Sequence, residues 1–125
     1  MLEGIDATAM LATRDLPAAR AFYADVLGFD VRDEGDGMTS FHSGATPVAI
    51  YESEYAGTNE ANALAWSVGE DFDDVMKTLR DRGVTFERYD DLPGLRLDGD
   101  VHVADGFKGA WFKDPDGNIL HINGR

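Results

Sequence analysis

The sequence predicts an α+β domain made of two βαβββ modules. Two amphipathic helical stretches carry matching end signals, and their stops, Leu27-Gly28-Phe29 and Arg82-Gly83-Val84, lie 55 residues apart. A candidate strand precedes each helix and three short β-like runs follow it. Asp114-Pro115-Asp116-Gly117 near the end of the chain reads as a hairpin turn. Together these features describe one repeated unit within a single domain of 1–125, with module one at about 1–55 and module two at about 60–125.

In chain order, Leu16, Ala19, Tyr23, Val26 and Leu27 recur at helical spacing, and Phe22 widens the stripe. Asp15 can accept the free amide protons of the first turn, Pro17 needs no amide partner there, and Gly28 can end the helix in the left-handed region. Strands are expected at Phe29 to Arg32, Met38 to His42 and Pro47 to Tyr51, with Asp33 to Gly37 as a turn cluster. The second helix places Phe72, Val75, Met76 and Leu79 on one stripe, with Asp71, Asp73 and Asp74 at its positive end and Arg80 and Arg82 at its negative end.

The remaining expected strands are Val84 to Tyr89, Lys108 to Lys113 and Asn118 to Ile122. In the turn before the last of them, an acceptor side chain, a fixed φ and a flexible end stand where a type I turn needs them. Glu52 to Asn62 and Asp90 to Gly106 read as loops, either covering a site or crossing between half-sheets.

Composition narrows the function. A chain of 125 residues and 13.6 kDa with 43% hydrophobic content can bury one compact core. No apolar run approaches the ~20 residues that span a bilayer, and Met1 to Ala12 lacks the basic start of a signal peptide, so a cytoplasmic location is expected. The net charge of −13 argues against nucleic acid and anionic membranes as partners, and it would attract a cationic small molecule. With no cysteine, metal ligation falls to three histidines and the carboxylates.

The segment Thr13-Arg14-Asp15-Leu16-Pro17-Ala18-Ala19-Arg20-Ala21-Phe22-Tyr23-Ala24-Asp25-Val26-Leu27-Gly28-Phe29 resembles the first helix of vicinal oxygen chelate proteins, the glyoxalase, bleomycin-resistance and extradiol dioxygenase superfamily. Trp111-Phe112-Lys113-Asp114-Pro115-Asp116-Gly117-Asn118-Ile119-Leu120 resembles their final hairpin. The resemblance implies a curved mixed sheet around a cup with helices outside, a homodimer, and in many members a divalent metal acting as Lewis acid on vicinal substrate oxygens. Other members carry no metal and sequester an antibiotic.

The positions that the resemblance marks for metal ligands fall on Thr8, Ala63 and His121. Threonine is a poor ligand and alanine none, so no cofactor is expected. A divergent metal site would have to draw on His121, Glu52, His42 and His102. His121 is also the candidate proton carrier, or else a packed neutral imidazole, while His42 and His102 read as exposed side chains.

By strand parity, Thr8, Met10 and Ala12 would face the cup, as would Ala63, Ala65 and Ser67, with Trp66 turned to the core. In the simplest hairpin register Phe112 lies opposite Ile119 and Ala110 opposite His121, all on the cup side. Phe41, Tyr51 and Phe107 are further lining candidates. The reading is a metal-free binding protein for a hydrophobic or cationic small molecule. The alternative is a lyase, isomerase or dioxygenase with a divergent metal site.

Overall fold

A computed structural model describes residues 1–125. Module one comprises β1 (Ala9–Thr13), α1 (Leu16–Ala21) with a following π-helical turn over Phe22–Val26, β2 (Asp30–Gly35), β3 (Met38–Ser43) and β4 (Thr46–Glu52). Module two comprises β5 (Asn62–Gly69), α2 (Phe72–Asp81), β6 (Arg96–Asp98), β7 (Val101–Ala104), β8 (Phe107–Lys113) and β9 (Ile119–Gly124). The strands form two mixed sheets, ordered β1-β4-β3-β2 and β5-β9-β8-β7-β6. In each sheet the last three module strands run antiparallel, and the strand before the helix adds in parallel beside the final one. No helix is long and apolar enough to cross a membrane.

Both helices begin and end where the sequence marks them. The Asp15 carboxylate accepts from the amide of Ala18 at 3.2 Å, which satisfies a first-turn donor. The end of the first helix departs from the expected α geometry. There the Leu27 amide donates to the Phe22 carbonyl five residues back, a wider turn that apolar spacing does not encode. After α2, the Val84 amide donates to the Leu79 carbonyl as Gly83 turns left-handed at φ +90°.

The segment Val84 to Tyr89 does not form the expected strand. It touches β8 only through a bridge at Phe86–Phe112 and a hydrogen bond from the Glu87 amide to the Trp111 carbonyl. The pairing partner of β8 on that side is instead β7, inside the stretch read as a loop. There Arg96–Asp98 and Val101–Ala104 form a hairpin with alternating Leu97 and His102 on paired positions. The first-module turn is also shorter than expected, because β2 continues to Gly35 across a bulge between Val31 and Asp33.

One core joins the modules. From the first come Leu11, Ala19, Tyr23, Phe29, Phe41, Val48 and Ile50, and from the second Phe72, Met76, Leu79, Phe86, Ala110, Phe112, Leu120 and Ile122. Trp66 packs against this core, as its parity predicts, with its ring edge-on to Phe29 and its indole N–H donating to Ser43 Oγ at 3.0 Å. Each helix therefore covers one face of its own sheet and leaves the other face open.

Candidate functional site

The Asp114 turn fixes the frame of the site. One Asp114 oxygen accepts from the amides of Asp116 and Asn118 at 2.9 Å each. The other accepts from the Tyr23 hydroxyl at 2.6 Å and the Asn118 side-chain amide at 2.8 Å. Burial and the negative Asp114 beside it push the Tyr23 phenol far above the ordinary tyrosine range, so it stays a donor. Asn118 also donates to the Ala12 carbonyl, and Asp116 accepts from the Arg14 amide. The final hairpin is thus bolted to β1 and the π-helical turn of the other module. Gly57 closes the same corner. A Cβ there would stand 1.8 Å from the Asp116 carbonyl oxygen, and its φ of +74° favours glycine as well.

The hairpin that springs from this turn takes the register one residue away from the simplest one. Phe112 pairs with Leu120 and Ala110 with Ile122, while Trp111 pairs with His121. The expected placement of Phe112 and Ala110 on the cup side is corrected accordingly. Both are buried in the core, and Trp111 with His121 occupies the open face.

On that face His121 and Trp111 stack with ring centroids 4.3 Å apart and planes 25° from parallel. His102 stands edge-on to the same indole at 4.8 Å, and Tyr89 closes the group at 5.7 Å from Trp111. The His102 Nε2 accepts from the Tyr89 amide at 2.9 Å, which ties the 84–89 segment to β7. The Asn62 side-chain oxygen accepts from the Trp111 indole at 3.0 Å and fixes the ring from β5. Phe107 lies over Gly109, where a Cβ would come within 2.9 Å of its ring and 3.2 Å of His121 Cε1. The glycine makes room for the two rings side by side.

Both nitrogens of His121 are engaged. A carbonyl can only accept, so Nδ1 carries the proton and donates to Ala110 O at 3.0 Å, and Nε2 accepts from the Asn123 amide at 3.2 Å. Burial holds its pKa below the usual imidazole range. The Ala110 hydrogen bond works against that shift and nearby His102 adds to it. His121 is a neutral, oriented imidazole.

Beside this cluster lies a cavity of about 550 Å³, bounded by Trp111, Tyr89, Leu92, Lys113, Ile119 and the 57–60 stretch with Asn62. Both segments read as loops therefore contribute walls.

The remaining expected site residues are scattered. Phe41 is fully buried on the helix side of its sheet, beside Val48 and Val31, and is no lining residue. Thr8 is exposed ahead of β1. Met10 and Tyr51 lie on the open face of the first sheet, 54% and 36% exposed. Ala63 sits in a register irregularity of β5 and packs against the core, so Asn62 takes its place toward Trp111.

His102, expected to be exposed, is completely buried. His42 lines a separate cleft between the modules, and Glu52 stands beside Gly37 at the β2–β3 turn. No three His, Asp or Glu side chains converge in ligating geometry. The positions that the resemblance marks hold an exposed threonine, a core alanine and a histidine with both nitrogens used. These residues do not fit a divalent metal centre.

Trp111, Tyr89, Asn62 and Asn123 were missed as site residues, and His102 was named only as a fallback metal ligand. Only the alternation along β8 could have shown Trp111, and it needed the register.

The sequence pattern of the Glyoxalase/Bleomycin resistance protein/Dioxygenase superfamily matches residues 4–122. Comparison with curated proteins gives no match. Among solved structures, the chain is similar to the genomically encoded fosfomycin resistance protein of Listeria monocytogenes, with TM-score 0.74 and 16% identity over 100% of this chain and 95% of that one. It is also similar to a glyoxalase/bleomycin resistance protein/dioxygenase of Alicyclobacillus acidocaldarius, with TM-score 0.71 and 19% identity over 95% and 89% of the two chains. A lactoylglutathione lyase of Agrobacterium tumefaciens aligns with TM-score 0.66 and 19% identity over 92% and 89%. At these identities the structural likeness speaks for the fold alone. The family match over nearly the whole chain goes further: the protein belongs to the Glyoxalase/Bleomycin resistance protein/Dioxygenase superfamily.

Proposed function

We propose that this chain is a metal-independent small-molecule binding protein whose recognition surface is the open face of the second sheet. The observation that carries this reading is that Trp111, stacked on His121, stands with Tyr89 at the wall of a cavity of about 550 Å³. That volume suits a drug-sized molecule. The walls offer the π faces of Trp111 and Tyr89 beside Leu92 and Ile119, with Thr58, Asn59, Glu60, Asn62 and Lys113 as polar groups, which fits a planar aromatic ligand with polar substituents. The net charge of −13 favours cationic members of that class. His121 serves as a support for the Trp111 ring, since it stacks on that indole and proton transfer at Nε2 would first have to break its Asn123 contact.

The homodimer expected from the resemblance belongs to the same reading. Met10, Met38 and Tyr51 are exposed on the open face of the first sheet, and a second copy would cover them.

The test is a fluorescence titration with ethidium, a planar aromatic cation, on untagged protein, followed by recovery of the dye for mass analysis. Saturable binding that weakens about tenfold or more in Trp111→Ala, with the dye recovered intact, is expected. Equal binding by the variant would overturn the site. Metal-dependent turnover of glutathione thiohemiacetals or of an epoxide would overturn the binding-protein reading in favour of the lyase, isomerase or dioxygenase alternative.

A further inference from the structure

Tyr89 and Leu92 line the Trp111 cavity from the stretch that leads from α2 to β6. That stretch is anchored at its start by the buried Phe86, by the Glu87 amide on the Trp111 carbonyl at 2.8 Å and by the Arg88 side chain on Asp100. It is anchored again where Arg96 pairs with Val103. From Asp90 to Leu95 the only hydrogen bond is internal, from the Leu95 amide to the Leu92 carbonyl. The bond that ties this strap down beside the cavity is the one from the Tyr89 amide to His102 Nε2, at 2.9 Å.

That bond fixes the state of the imidazole. A backbone amide can only donate, so Nε2 is unprotonated and the neutral ring carries its proton on Nδ1. His102 is completely buried, and its Nδ1 meets no partner. The closed strap therefore leaves an enclosed donor unsatisfied, a cost that water would relieve if the strap lifted. Protonation sharpens the conflict, because it sets a second N–H on the ring against the Tyr89 amide. The surroundings offer a positive charge no counter-ion. Trp111 and Tyr89 pack on the ring, Leu97 and Gly109 sit opposite it on β6 and β8, and His121 shares the Trp111 ring with it. Arg96 and Asp98 flank Leu97 and so project from the other face of β6. The remaining charges nearby are paired, Asp100 with Arg80 and Arg88, Glu87 with Lys113 and Lys108 with Asp73.

We infer that His102 is an acid-released latch: protonation of Nε2 breaks the Tyr89 bond, lifts the strap over residues 89–95 and opens the cavity. The sign follows from linkage. The closed form needs the neutral ring, whereas an imidazole in water titrates near 6.5, so each pH unit below about 6.5 favours the lifted form by up to about tenfold. The latch holds above that range and yields as pH falls. Its effect on a bound molecule rests on the function proposed above, while release of the strap does not.

Two readouts keep these apart. In ¹⁵N-labelled protein taken from pH 7.5 to 5.0, protection of the Tyr89 amide against solvent exchange should fall by about tenfold or more, while that of the Glu87 amide holds. His102→Gln sets an uncharged acceptor near the Nε2 position and should keep the Tyr89 amide protected throughout. Ethidium affinity should fall in parallel in the wild-type chain and hold in His102→Gln. Unchanged protection of Tyr89, equal loss in His102→Gln, or loss at Tyr89 and Glu87 together would overturn the latch. Loss of Tyr89 protection in a protein that binds ethidium at neither pH would uphold the latch and overturn the function proposed above. Should His102→Gln fail to fold, the ¹⁵N shifts of the His102 ring decide, and an Nε2 that stays unprotonated down to pH 5.0 would overturn the inference.

Discussion

On their helix sides the two sheets are near copies. Leu11, Phe41, Val48 and Ile50 cover one, and Ala110, Phe112, Leu120 and Ile122 cover the other, all buried in the shared core. On their open sides they differ. The first presents Met10, Met38 and Tyr51 to solvent without hydrogen-bond anchors, whereas the second holds Trp111, His121, His102 and Tyr89 in one interlocked group. The repeated half of each module makes the fold, and chemistry enters where the repeat is broken. Within β8 the two roles alternate residue by residue, so neighbours in sequence answer to different demands.

The largest effect should come from testing that alternation. Phe112→Ala empties a fully buried ring position in contact with Phe86 and should cost about 3–5 kcal/mol in urea unfolding. Trp111→Ala, one residue away and only partly buried, should cost less than half of that while weakening ligand binding. Equal losses at the two positions would show that the open face is ordinary core.

Next in size is the bolt between the modules. Asp114→Ala leaves the Tyr23 hydroxyl and two turn amides without their acceptor, and a loss of about 2–4 kcal/mol is expected. Tyr23→Phe removes only one of those contacts and should cost about 1 kcal/mol. A loss in Asp114→Ala no greater than in Tyr23→Phe would mean that the turn is held by its backbone alone.

The helices, with both their ends, could be read in the sequence because the signals are local: a stripe at period 3.6, Asp15 as cap and Gly28 and Gly83 as stops. The first-module strands were legible for the same reason. The β6–β7 hairpin was not, since its few residues sit among Pro93, Gly94 and Gly99, which locally resemble a loop. What makes it a hairpin is pairing with β8, a tertiary partner.

The site was legible only in part. His121 stands on the open face, yet its neighbours depended on a one-residue choice of register that flips every side chain. Likewise Ala63 was read onto the cup side by strict alternation, and the irregularity between Asn62 and Leu64 hands that place to Asn62. His102 looked exposed because its segment looked like a loop.

The smallest expected effect bears on His121 itself and separates a packed imidazole from a proton carrier. Burial keeps the folded-state pKa below the reference value of 6.5, so the folded protein holds this ring neutral while the unfolded chain protonates it near 6.5. The unfolded state then binds more protons as pH falls, and the contribution of the neutral ring is present above 6.5 and declines as pH drops through the folded-state value. For one group the slope cannot exceed about 1.4 kcal/mol per pH unit. Comparing urea unfolding of the protein and His121→Gln from pH 7.5 to 5.5 isolates it, since His42 and His102 remain in both. The variant should lose stability less steeply on acidification, so that the gap between the two narrows. Parallel curves would mean that the ring takes up its proton in the folded state as readily as in the unfolded chain, and the second open face would then carry a group free to ionise against the Trp111 ring.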